Sequence, residues 1–97
     1  REVTESTWTI PEEFMSNRYS SCMHGIGLAD EYPSIKHKAD FNAKGYDGVF
    51  VPGMVMCVES FIGVEGGREG VKLEEQVVIT ETGVERMSSY PFETDWL

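Results

Sequence analysis

The hydrophobic positions of this chain fall into short, separate runs. Residues 2–10, EVTESTWTI, alternate loosely between polar and apolar and predict an edge strand or an extended arm. In PEEFMSNRY, Thr9 is placed to cap, Pro11 suits a first helical turn, and Glu12 and Glu13 complement a helix dipole. A short helix is therefore expected over 11–17. The next run, YSSCMHGIG, reads as a strand that ends in glycine. From Tyr32 to Gly53 the chain carries Pro33, Gly45, Gly48, Pro52 and Gly53 with little periodicity, which predicts a long loop of the kind that is usually functional. Two runs dense in β-branched and aromatic residues follow, MVMCVESFIGV from Met54 and VKLEEQVVITE from Val71. TGVERMS adds a short strand after a turn at Thr82 and Gly83. The terminal PFETDWL brings Phe92, Trp96 and Leu97 close together, to dock on this sheet or on a neighbouring subunit. These elements predict an α+β fold, a mostly antiparallel sheet with one or two short helices, in a single domain over 1–97.

Two carboxylates break the pattern of the long strands. Along the first, Met54, Met56 and Val58 point one way while Val55, Cys57 and Glu59 point the other. Both faces are apolar until Glu59, which implies a strand covered on both sides. A carboxylate there is costly unless it is protonated, paired or bound to a metal. Along the second, Glu74 shares its face with Lys72, Gln76 and Val78, so its burial is less firmly implied. The plain alternative is that Glu59 ends its strand at the surface and that Glu74 lies on a solvated face.

Composition narrows the function classes. Apolar residues make up 40% of the 97 and charged residues 26%, an ordinary globular balance. A chain of this size buries about two-thirds of its unfolded surface, so its core is thin. No apolar run approaches the roughly 20 residues of a membrane span, and no signal peptide is evident. Seventeen acidic against eight basic residues give a net charge of −9, which repels phosphate backbones and argues against nucleic acid. That excess serves solubility, or it marks carboxylates that converge on a cation. Cys22 and Cys57 lack CxxC spacing and read as small buried hydrophobes of a reducing, cytoplasmic compartment, with a disulfide as the alternative.

One of the two histidines, His24, lies in SCMHGIGLADEYPSI. It is open to three readings: a metal ligand, a catalytic base, or a core imidazole bonded to a backbone carbonyl. Imidazole and carboxylate donors together suit iron, manganese, cobalt or zinc rather than calcium. The other histidine, His37 in SIKHKAD, reads as a solvated loop residue.

Three ordered motifs carry a family resemblance: MHGIGL at His24, PGMVMCVES ending on Glu59, and GVKLEEQVVIT containing Glu74. His24 and Glu59 lie 35 residues apart and Glu59 and Glu74 lie 15 apart. Together they resemble the C-terminal half of the pita-bread metalloenzymes, the superfamily of methionine aminopeptidase, aminopeptidase P, prolidase and the metal-free creatinase. The resemblance covers about residues 9–90 and implies a curved sheet, a partial pita-bread fold. It also implies that His24, Glu59 and Glu74 belong to a five-ligand dimetal site in which Glu74 bridges. Peptidases of the group carry a second histidine just after the first. Here that stretch is LADEYP, with Asp30 and Glu31 and no histidine, which argues against an ordinary peptidase.

RYS, HGIGLADEYPSI, GYDGV, MCVESFIG, EGVKLEEQV and ITETG are instead similar to the dimethylsulfoniopropionate lyases of this fold. By that resemblance Asp30 is the general base, and Tyr19 lines the pocket with an aromatic face suited to a sulfonium. Dimethyl sulfide and acrylate are then the products. For both residues the plain alternative is packing and a turn cap. The two aspartates that complete the family's site fall on strands absent from this chain. The expectation is a C-terminal portion of a catalytic domain: a truncated reading frame or one part of a larger assembly, with an incomplete metal site and little turnover alone. Its uncovered sheet predicts a homo-oligomer or a missing N-terminal segment as partner, beside a small-molecule substrate. The alternatives are an Xaa-Pro peptidase-like hydrolase and a non-catalytic binding or scaffold domain.

Overall fold

The two longest apolar runs form the spine of the molecule. In the computed structural model, which describes residues 1–29 and 31–96, the chain builds α1 (Glu2–Ser6), β1 (Ser21–Gly25), β2 (Ser34–Lys36), α2 (Lys38–Lys44), β3 (Val55–Gly63), β4 (Gly70–Ile79) and β5 (Val84–Arg86). The strands make one sheet in the order β2-β1-β3-β4-β5, with every neighbouring pair antiparallel. The expected α+β architecture is what the chain adopts. β3 and β4 form the longest ladder, from Val55 opposite Val78 to Gly63 opposite Gly70. β1 reaches β3 across the β2–α2 connection, so the first strand lies near the middle of the sheet. The helices α1 and α2 pack on each other and on β2.

A small core sits on one face of the central strands. Met56 is opposite Val77, both are buried, and Cys22 and Met23 complete the cluster. Ile35, Phe50, Met54 and Ile79 pack at its margin. Further along the ladder the cover ends. Val58 is 45% exposed, Leu73 42% and Val71 51%, so β3 is enclosed on both sides only around Met56 and Cys57. The expectation of a strand covered on both sides as far as Glu59 holds at Met56 and Cys57 and fails at Val58.

Several local expectations also give way. Residues 2–6 are helical rather than extended. Thr4 is fully buried and its Oγ1 donates to the Lys36 carbonyl at 2.9 Å, a tertiary contact that outweighs the β-branched composition. The helix expected over 11–17 is a single 3-10 turn at Glu12–Phe14, without a side-chain cap. It stops because the chain must turn to meet β3: Gly63 N–H donates to the Asn17 carbonyl at 2.9 Å, and Arg18 bridges to Ile62. The long loop from Tyr32 to Gly53 contains β2 and α2, of three and seven residues, too short to leave a periodic signal. His37 is not solvated. It precedes α2, is half-buried, and its Nδ1 is buried without a hydrogen-bond partner among the described residues. Phe92 is 49% exposed beside β4, while Leu97 lies outside the described residues. Among the described residues no helix is long and apolar enough to cross a membrane.

Candidate metal centre

Register alone assembles the site. His24 on β1 is the cross-strand partner of Cys57 on β3, and Glu59, two residues beyond Cys57, is the partner of Glu74 on β4. Alternation and cross-strand pairing therefore put His24, Cys57, Glu59, Glu74 and Lys72 on one face, opposite the Met56 core. His24 and Glu59 are each only 7% exposed. Glu59 does not end its strand at the surface, because β3 continues four residues past it to Gly63.

The side chains converge. His24 Nε2 lies 3.0 Å from Glu59 Oε2 and 4.0 Å from Glu74 Oε1. Ligand atoms of His24, Cys57 and Glu74 all lie within 4.8 Å of one another. On the far side of the ring, His24 Nδ1 is 2.9 Å from the Gly25 carbonyl oxygen. Both ring nitrogens thus face oxygen acceptors. Such an imidazole is satisfied as a doubly protonated imidazolium, or as the Nδ1–H tautomer with a cation between Nε2 and the carboxylates.

A positive charge already occupies that neighbourhood. Lys72 Nζ lies 2.6 Å from Glu59 Oε1 and 3.4 Å from Glu74 Oε2. Its pKa is raised, chiefly by the hydrogen bond to Glu59. The Cys57 thiol donates to Glu74, and this hydrogen bond is the main reason that the Glu74 carboxyl titrates below its usual range, with Lys72 adding to it. Burial, reinforced by the same Glu74 contact, pushes the Cys57 thiol up to about 11. The donor set of one imidazole and two carboxylates, held around a surrogate ammonium, fits a transition-metal ion. Beside them the Cys57 thiol donates to Glu74 in the metal-free chain, within reach of the same centre.

The glycine after His24 has a specific reason. A Cβ on Gly25 would stand 2.1 Å from the Tyr32 carbonyl oxygen, because Tyr32 and Pro33 lie directly against the strand. Gly25 N–H donates to the Pro33 carbonyl at 2.7 Å, and Ile26 N–H donates to the Val55 carbonyl at 3.1 Å. These bonds fix the end of β1 and with it the carbonyl that meets the imidazole.

Tyr19 reaches the same region from the segment before β1. Its backbone N–H donates to the Phe61 carbonyl at 3.1 Å, and its phenol donates to Glu31. Burial and that contact push the phenol up to about 12, with a smaller contribution from the Glu59 charge. Tyr19 is thus a protonated donor with an aromatic face. Asp30, the other residue assigned a chemical role, lies outside the described residues. Sequence reasoning missed Cys57, Lys72 and Glu31 as neighbours of the site. The signal for Cys57 was present, since it shares a strand face with Glu59 two residues away.

Comparison with known proteins gives this arrangement a context. Residues 1–81 match metallopeptidase family M24, a family of metal-dependent enzymes. Two curated relatives are named dimethylsulfoniopropionate lyase DddP. The one from Roseovarius nubinhibens is 44% identical over 92 residues, and the one from Roseobacter denitrificans is 41% identical over 92. Each alignment covers 95% of this chain and 21% of the relative, so the chain spans about a fifth of their length.

Proposed function

This chain belongs to metallopeptidase family M24, and from that premise we propose that it is the C-terminal portion of the catalytic domain of a metal-dependent lyase acting on dimethylsulfoniopropionate. The observation that carries the reading is the cluster of His24, Glu59 and Glu74 in a chain 41–44% identical to two such lyases across almost its whole length. In this proposal those three residues hold a transition metal, iron, manganese, zinc or cobalt, and two further carboxylates come from the upstream part of the same polypeptide. The metal supplies a positive centre against the substrate carboxylate, where negative charge develops.

The chain's own groups then divide the work. Asp30 is the general base and takes the proton from the carbon next to the substrate carboxylate. The freed electron pair becomes the carbon–carbon double bond as the carbon–sulfur bond breaks. Dimethyl sulfide leaves with that bond's electrons, and acrylate remains. Tyr19 offers its ring face to the sulfonium, while its bond to Glu31 keeps the phenol in place. Glu31 lies between β1 and β2, and the Gly25–Pro33 bond ties the end of β1 to the start of β2.

The surface supports a larger assembly. An accessible area of 7138 Å² for a 10.9 kDa chain exceeds the roughly 5,600 Å² of a compact monomer of that mass. The test is the full-length gene product incubated with dimethylsulfoniopropionate, with dimethyl sulfide measured in the headspace. Sulfide release that disappears in Asp30→Asn and Glu59→Gln supports the reading. A protein that releases none but cleaves Xaa-Pro dipeptides is instead a hydrolase of the same family.

A further inference from the structure

Lys72 is the charged member of the cluster whose chemistry the proposed reaction leaves unused. It sits two residues before Glu74 on the same face and diagonally across from Glu59, so its stem enters from the β4 side while His24 enters from β1. Resting on the metal-centre reading, we propose that Lys72 is a displaceable counter-cation: its ammonium neutralises Glu59 and Glu74 in the metal-free protein and withdraws to solvent when a divalent ion binds.

Charge and geometry carry the argument. Two carboxylates on adjacent strands repel unless a cation lies between them. The ammonium supplies that cation at 2.6 and 3.4 Å. A divalent ion needs the same oxygens, and two cations sharing them repel, so ammonium and metal exclude each other. Lysine suits an exchange of this kind. Its charge is compact and well hydrated, its stem is flexible, and its side chain is 55% exposed, so the head group returns to water along an open path. On the opposite face of the sheet, Arg86 sets two nitrogens of its planar head group against one oxygen of Glu75, Nε at 2.8 Å and a terminal nitrogen at 2.7 Å, whereas Lys72 divides a single ammonium between two carboxylates. The site therefore carries its own competitor, and metal affinity is the difference between two occupants.

The experiment uses the full-length gene product with manganese(II) chloride as the probe and needs no turnover. Binding is followed by calorimetry for the unaltered protein, Lys72→Met and Lys72→Arg. In parallel, acetylation of Lys72 is followed by mass spectrometry with and without manganese. Removing the ammonium is expected to tighten manganese binding about three- to tenfold, the scale of one or two part-exposed ion pairs. Lys72→Arg keeps the competition, and in the unaltered protein manganese speeds Lys72 acetylation. If the protein binds manganese but Lys72→Met binds no tighter, or acetylation does not change, the counter-cation role fails and the metal centre stands. If no variant binds manganese at millimolar concentration, the metal centre fails, and the counter-cation role with it. The labelling arm needs no substitution, so a variant that does not fold leaves the question decided.

Discussion

Glu59 and Glu74 are cross-strand partners in the β3–β4 ladder, yet one is buried to 7% exposure while the other is 36% exposed. Their removal should therefore differ in kind. Glu59→Ala strips the buried His24 of a partner at 3.0 Å and is expected to cost about 1–3 kcal/mol of stability in urea unfolding. Glu74→Ala should change stability by less than about 1 kcal/mol. In the proposed centre both lower manganese affinity by at least about tenfold. Equal stability losses would show that Glu59 is not the buried anchor described above.

Gly25 is fixed by a backbone atom and not by a movable side chain. Gly25→Ala places a methyl 2.1 Å from the Tyr32 carbonyl oxygen and 2.5 Å from its carbon. That backbone must then shift, at a cost of about 1–3 kcal/mol, or several degrees of melting temperature in a chain of this size. Gly48→Ala is the control. Its nearest neighbour would be 4.0 Å away, so little change is expected. A Gly25→Ala variant that melts with the unaltered chain would contradict the close approach.

Burial lowers the His37 pKa, with the Arg18 charge adding to it and Asp40 opposing. The folded chain thus favours neutral imidazole, and the unfolded chain takes up the proton first as pH falls below about 6.5. The His37 contribution is fully present above that value and is lost as pH falls from there through the lower folded pKa. Urea midpoints for the unaltered chain and His37→Gln, compared from pH 5 to pH 8, should diverge on the acidic side with the unaltered chain falling more steeply. Parallel profiles would show that His37 is not desolvated.

Cys22 and Cys57 are buried free thiols, and burial raises the pKa of each. Reactivity follows the thiolate. A disulfide-exchange reagent at pH 8 should titrate neither quickly in the folded chain and both in denaturant. Immediate reaction of one thiol would place it at the surface.

Light scattering behind size-exclusion chromatography tests the exposed strip of Val58, Leu73 and Val71. Contiguous apolar strand surface of this kind promotes association. The isolated chain is expected to elute above its monomer mass at micromolar concentration. A clean monomer would count against the proposed larger assembly.

The long ladder was legible because β3 and β4 each hold enough β-branched residues to outweigh other signals. The candidate cluster was legible in its parts: a carboxylate out of place at Glu59, a histidine before Gly25, and a second carboxylate at Glu74. Register, which decides that His24 stands opposite Cys57, is set by pairing between distant segments and has no local signature. For the same reason Lys72 read only as a polar neighbour on its own strand. The short elements α1, β2 and α2 were lost because three to seven residues do not complete a period. Thr4 shows the cause, since a contact with Lys36, 32 residues away, settles its environment.

His24, Glu59 and Glu74 belong to three separate strands, none of which holds two of them. An ion gripped by all three is a staple across the middle of the sheet, and any slip of β1 or β4 against β3 unmakes its seat. Loading would then report sheet assembly as directly as it reports chemistry. Ion concentration becomes a lever on unfolding, worth about 2.7 kcal/mol at a hundredfold excess over the dissociation constant.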